Sequence, residues 1–307
     1  MSNPFQTKAV PHSLKTIADG FCFLEGPRWH DGKIWFVDFY SYGVYSLSKG
    51  GVAEKMAHVE HQPSGLGWLP DGRMLVVSMK DHKILRQEAD GRLVVHADIS
   101  DKCGGPANDM VVAPNGNAYV GNFGFDMAIG ESHKLANLIL VRPNGSTHIV
   151  ANGLSFPNGM VITPDGKTLI INELLGNRIS QFSILDDGAL GPRRDFANFG
   201  DPGDEPDIMR RLEGAKIVPD GLALDAEGAV WFADSINQRA VRMAEGGKIL
   251  DVISAAPDCV FAVALGGDDG KTLFLCTAPD WFEESRKALH EARLLGARVD
   301  VPHAGTP

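Results

Sequence analysis

One phrase recurs six times along this chain, and few folds can accommodate it. It opens on a polar or acidic residue followed by glycine or a substitute, and continues as a short apolar-alternating run. It then turns tightly on a glycine and ends in a second apolar run. The copies begin at Glu25-Gly26-Pro27-Arg28-Trp29, Ser64-Gly65-Leu66, Asn108-Asp109-Met110, Asn158-Gly159-Met160, Asp220-Gly221-Leu222 and, with the polar opening lost, Cys259-Val260-Phe261. The turns Asp31-Gly32, Asp71-Gly72, Asn115-Gly116, Asp165-Gly166, Glu227-Gly228 and Asp269-Gly270 mostly supply the Asp-Gly or Asn-Gly pair that a tight hairpin needs, because these residues tolerate positive φ.

A third alternating strand follows most hairpins, as at 42–47, 83–86, 138–141, 178–182 and 240–243. A fourth often follows that, as at 93–96 and 248–252. Four short strands per unit, with units spaced about 40 to 60 residues apart, specify a β-propeller. The expected fold is therefore all-β, a six-bladed propeller of four-stranded blades occupying residues 1–307 as a single domain. A β-sandwich would not explain one template recurring in one register. Two stretches, 125–136 and 200–214, interrupt the pattern at lengths typical of binding loops or surface insertions. Residues 281–295 have helical composition, and Arg298-Val299-Asp300-Val301 is a candidate for closing the last blade, with the residues before Glu25 as another source of a closing strand.

Composition narrows the partners. A formal net charge of -10 argues against nucleic acid, which selects a basic stripe. No long apolar segment or signal-type leader occurs, so a non-membrane, cytoplasmic protein is expected. Cys22, Cys103, Cys259 and Cys276 lack metal-type spacing and read as free thiols, mostly buried. No phosphate-cradling Gly-rich loop with Lys-Ser or Lys-Thr appears, nor a Gly-x-Ser-x-Gly elbow, which excludes the usual nucleotide and α/β-hydrolase sites.

In a propeller the first strand of every blade lines the central channel, so equivalent repeat positions meet around one axis. The opening residues Glu25, Asn108, Asn158 and Asp220 then place two carboxylates and two carboxamides at one mouth. Two carboxylates alone would repel until one took up a proton. Combined with carboxamide oxygens they suit a hard divalent cation, with calcium favoured and magnesium, manganese or zinc compatible. Ser64 holds the same register, as a substrate or water contact. Asp109 is expected along the channel. Asp38, Glu173 and Asp234, which end second strands, are expected in turn hydrogen bonds or in support of the ring. Trp29, Trp35, Trp68 and Trp231 read as core, and His58 and His61 as exposed loop residues.

The segments Phe23-Leu24-Glu25-Gly26-Pro27-Arg28-Trp29, Pro157-Asn158-Gly159-Met160 and Pro219-Asp220-Gly221-Leu222 resemble the senescence-marker-protein/gluconolactonase (regucalcin-like) family over nearly the whole chain. The resemblance implies a six-bladed propeller that binds a divalent metal through Glu25, Asn158 and Asp220. It also implies lactone hydrolysis, with Asn108 matching an asparagine near the substrate or metal. One departure is Pro106, where the family's sugar lactonases carry an arginine that contacts sugar hydroxyls. The expected activity is thus metal-dependent opening of a lactone or ester-like small molecule by water, with Asp220 as general base and Asn108 and Ser64 binding substrate. A phosphotriesterase-like or strictosidine-synthase-like enzyme on the same site, or a non-catalytic calcium-binding propeller, are the alternatives.

Overall fold

A computed structural model describes residues 12–305. Its strands form six four-stranded antiparallel sheets, and each innermost strand packs against the innermost strand on either side, the last against the first. The arrangement is a six-bladed β-propeller. The inner strands are Leu24–His30, Pro63–Trp68, Ala107–Val112, Pro157–Ile162, Pro219–Leu224 and Cys259–Gly266, and we number the blades in that order.

The ring is shut by strand exchange between the two ends of the chain. Lys15–Phe21 pairs with Ala292–Arg298 and forms the outer strand of blade 6. This corrects two expectations from the sequence. The helix within 281–295 spans only Glu283–Leu289, and Arg298–Val301 begins as the end of a third strand rather than supplying the closing one. The helical run stops where Ala292–Arg298 joins blade 6 as a strand between Thr272–Ala278 and Lys15–Phe21.

The inner strands share one irregularity. Each loses regular pairing with its neighbour just after its first residue or two and resumes one residue out of register. Such a bulge re-aims a side chain, and here it spans Ser64, Asn108, Asn158 and Asp220 and begins directly after Glu25. The glycine that follows is a packing requirement in at least two blades. A Cβ on Gly159 would lie 2.4 Å from the Leu222 amide nitrogen, and one on Gly221 would lie 2.5 Å from Ala262 Cα. These contacts are backbone, so they cannot swing aside. Gly221→Ala is expected to destabilise the fold by about 1–3 kcal/mol through overpacking, read as a lower midpoint in chemical denaturation. An unchanged midpoint would mean that blades 5 and 6 are not in such close contact.

Between blades the core is apolar. Trp231, Phe232, Phe36, Leu66, Leu75 and Ile84 are among the fully buried side chains. Trp231 is fully buried core, and Trp29, Trp35 and Trp68, half-buried, pack against the main core. Cys22 and Cys276 are buried free thiols, while Cys103 and Cys259 are only half-buried. Toward the far end of the channel a cavity of about 20 Å³, lined by Arg28, Met160, Leu222 and His303 among others, has room for roughly one water. No helix among the described residues is long and apolar enough to cross a membrane.

Candidate functional site

Five side chains expected on the axis do share one end of the inner strands. Ser64, Asn108, Asn158 and Asp220 are each at least nine-tenths buried, and Glu25 is half-buried. Ser64 Oγ donates to Asn108 Oδ1 at 3.3 Å, and Asn108 Nδ2 donates to the Pro157 carbonyl at 3.4 Å. Glu25 accepts from the Gly26 amide at 3.0 Å. The sixth position is Val260, which is fully buried and brings no oxygen. The ring is thus polar on five sides and apolar on the sixth. His58 and His61 are exposed, as expected.

The carboxylates that end second strands hold these positions. Asp38 accepts the Cys22 and Phe23 amides, Glu173 accepts the Ser155 amide, and Asp234 accepts the Val218 amide, at 2.8–3.0 Å. Each of these amides lies two or three residues before a ring residue. A buried carboxylate in blades 1, 4 and 5 therefore clasps the segment leading into the ring, and charge-assisted bonds of this kind are strong. Both readings of Asp38, Glu173 and Asp234 hold at once, because the turn hydrogen bond is what supports the ring.

Two contributors had no role in the sequence reading. Arg28 donates to Asp109 at 2.6 Å and to the Met110 carbonyl at 2.8 Å, with both side chains buried. Asp109 lines the channel as expected, but as half of this ion pair. Arg28 stood inside the Glu-Gly-Pro-Arg segment, where a charge in an inner strand was a readable signal. Asn172 is fully buried and donates to the Asp220 carbonyl at 2.6 Å. Its signal was an amide interrupting the apolar run Leu169-Ile170-Ile171.

The electrostatics are unbalanced. Three carboxylates (Glu25, Asp109, Asp220) face one guanidinium (Arg28), leaving two negative charges when all are ionised. Burial pushes the Glu25 carboxyl up to about 8, aided by the Asp109 charge and opposed by the Gly26 amide and Arg28. Asp220 is raised well above the ordinary carboxylate range, first by burial and then by the charges of Glu25 and Asp109, while the Asn158 amide beside it acts the other way. Asp220 Oδ1 is enclosed and has no hydrogen-bond partner. An orphaned buried carboxylate oxygen with two uncompensated charges around it is what a divalent cation would satisfy. Oxygen-only donors suit calcium, magnesium or manganese. Among the described residues no group of three or more His, Cys, Asp and Glu side chains forms a metal site, which fits a ring built partly of amides and hydroxyls.

A pH effect follows. Glu25 has a folded-state value above its unfolded one, so in cation-free protein it favours folding below about 4.5 and that contribution is lost as pH rises through about 8; Asp220, also raised, acts in the same direction. Cation-stripped protein is expected to melt lower at pH 8.5 than at 5.5, and calcium to raise the melting temperature more at the higher pH, by several degrees. Thermal melts in chelator and in excess calcium check this, with Glu25→Gln as control. Equal calcium shifts at both pH values in the unaltered protein would contradict it.

The two irregular stretches leave the blades at the same end as the ring. Residues 125–136 and the helix Ile208–Gly214 meet there. The His133 amide donates to the Pro206 carbonyl at 3.0 Å, and Arg211 Nε donates to the Leu175 carbonyl at 3.1 Å. Phe125, Phe156, Leu175, Leu212 and Val218 pack beneath them in one apolar cluster.

Comparison with known proteins agrees with the six-bladed fold. The family described as SMP-30/Gluconolactonase/LRE-like region matches residues 23–279, from just before Glu25 through all six hairpins. A pentonolactonase (XacC) of Haloferax volcanii is 25% identical over 87% of this chain and 85% of its own. A luciferin-regenerating enzyme superposes with a TM-score of 0.76 at 18% identity, covering 95% of this chain and 97% of its own. A calcium-binding regucalcin from Agrobacterium tumefaciens superposes at 0.74 and 21% identity, covering 94% of this chain and 93% of its own. On the match over residues 23–279, this chain belongs to the SMP-30/gluconolactonase/LRE-like family.

Proposed function

We propose that the protein is a metal-dependent lactonase that opens a cyclic ester with water at the axial ring. Family membership and relatives named as lactonases support lactone chemistry. The observation that carries the mechanism is the enclosed, unpartnered Oδ1 of Asp220 among uncompensated carboxylates. Glu25, Asn158 and Asp220 would hold a divalent cation, calcium by preference, and a calcium-binding relative points the same way. When bound, the cation supplies positive charge that polarises the ester carbonyl and stabilises the charge developing on its oxygen.

The chain's own residues do the rest. Asn108, held by Ser64 and the Pro157 carbonyl, presents its amide to the lactone and fixes its approach. Asp220, whose Oδ1 has no hydrogen-bond partner, takes a proton from water as the water oxygen bonds to the carbonyl carbon. The ring C–O bond then breaks, and the same proton passes to the departing alkoxide, giving a hydroxy acid. Proton release from a panel of lactones, measured with and without added calcium, tests the proposal. Calcium-dependent opening of at least one lactone is expected. Stoichiometric calcium binding with no turnover of any member would instead make the protein a calcium-binding module.

A further inference from the structure

We propose that the preferred substrate is a lactone bearing an alkyl or aryl substituent rather than a polyhydroxylated sugar lactone; this rests on the lactonase reading above. The observation is the chemistry of the layer just outside the donor ring. Two positions before the ring residue, the six blades carry Phe23, Gln62, Pro106, Phe156, Val218 and Asp258. Phe23, Phe156 and Val218 are buried and apolar, Pro106 offers no side-chain donor or acceptor, and Asp258 is committed to Arg293. Only Gln62 has a buried polar atom, its Oε1, without a partner.

Aromatic rings extend this layer around the mouth. Phe23 packs on Phe261 with centroids 4.7 Å apart and on Tyr40 at 5.4 Å, and Phe261 meets Trp281 at 6.5 Å. The Tyr40 hydroxyl is already spent on the Trp281 carbonyl at 2.7 Å. On the other side, Phe123 stacks on Phe156 at 4.2 Å. Phe123 and Trp281 are half-buried and touch both the main core and the cluster under the covering segments, so neither ring is fully enclosed. Farther out, Ile129, Met209 and Phe282 are exposed.

Such a layer can pair about one polar group of a ligand. A sugar lactone would bring several hydroxyls into it and leave most unpaired, and each unpaired buried group is costly. An alkyl or aryl substituent gains from the same surface. Specificity therefore divides between two tiers, with the ester read by the oxygen ring and the substituent by the aromatics.

The test compares δ-decalactone, δ-valerolactone and gluconolactone as substrates in calcium, with isothermal titration of δ-valerolactam and its 6-pentyl derivative alongside. Trp281→Ala and Phe123→Ala, both outside the donor ring, are the variants. The expected kcat/KM order is δ-decalactone, then δ-valerolactone, then gluconolactone, with steps of roughly tenfold or more. Each variant should lower δ-decalactone turnover by about tenfold and leave δ-valerolactone within about threefold. Gluconolactone opened as fast as δ-decalactone would overturn the substrate class while leaving the lactonase intact. If no lactone is opened, the lactonase reading fails and the lactams decide. Tighter binding of the pentyl lactam, weakened by Trp281→Ala, upholds an apolar ligand; equal binding overturns it.

Discussion

Asp220→Asn is expected to lower kcat for lactone opening by about 10²–10³ while the protein remains folded and, without cation, becomes more stable at alkaline pH. The two effects have one cause. Asp220 sits in an enclosed position with Oδ1 unpartnered and with Glu25 and Asp109 raising the cost of its charge. Asparagine keeps the shape, the backbone bulge and the Asn172 bond to the carbonyl. It removes the charge that a cation would answer and the site that would take the proton from water. Because the raised folded-state value makes Asp220 destabilising as pH rises, its neutral replacement should flatten the alkaline loss of stability in chelator. Activity assays and thermal melts at pH 8.5 read both. Wild-type turnover by this variant would remove Asp220 from the chemistry; lower stability without cation would mean that its charge is already compensated.

Arg28→Met should cost about 3–5 kcal/mol, because it leaves Asp109 as an uncompensated buried charge. The pair is short, and both partners are buried on the axis. In chemical denaturation the loss should appear as a lower midpoint at unchanged slope. Asp109→Asn added to Arg28→Met should recover most of it, since the amide oxygen still accepts the Met110 amide and no charge is stranded. A double variant no more stable than Arg28→Met would show that Arg28 acts through its packing and its bond to the Met110 carbonyl instead.

Much of this molecule was legible in its sequence because the repeat carries its own register. Once Glu25, Asn108, Asn158 and Asp220 aligned within one template, a ring followed from symmetry alone. The bulge beside those side chains recurs even where the following glycine is replaced, at Asn108-Asp109 and Val260-Phe261. What stayed hidden depends on contacts between distant segments. The pairing of Lys15–Phe21 with Ala292–Arg298 has no local signal, since either end of the chain carries a plausible strand. Residues 125–136 and 200–214 were recognisable as irregular. Their mutual contact through His133 and Pro206 depends on blade order bringing the connections of blades 3 and 4 to the same mouth. Arg28 and Asn172 each left a polar signal in an apolar strand, but their partners, Asp109 and the Asp220 carbonyl, lie in other blades and have no local signature.

The central claim is that one divalent cation, held by the axial ring, is required for lactone opening. Its most direct test is the initial rate of opening by chelator-stripped protein as calcium is titrated back. The rate is expected to be lost on stripping and to recover in proportion to calcium, saturating at one equivalent per chain when protein is well above the dissociation constant. Full turnover by the stripped protein would contradict it.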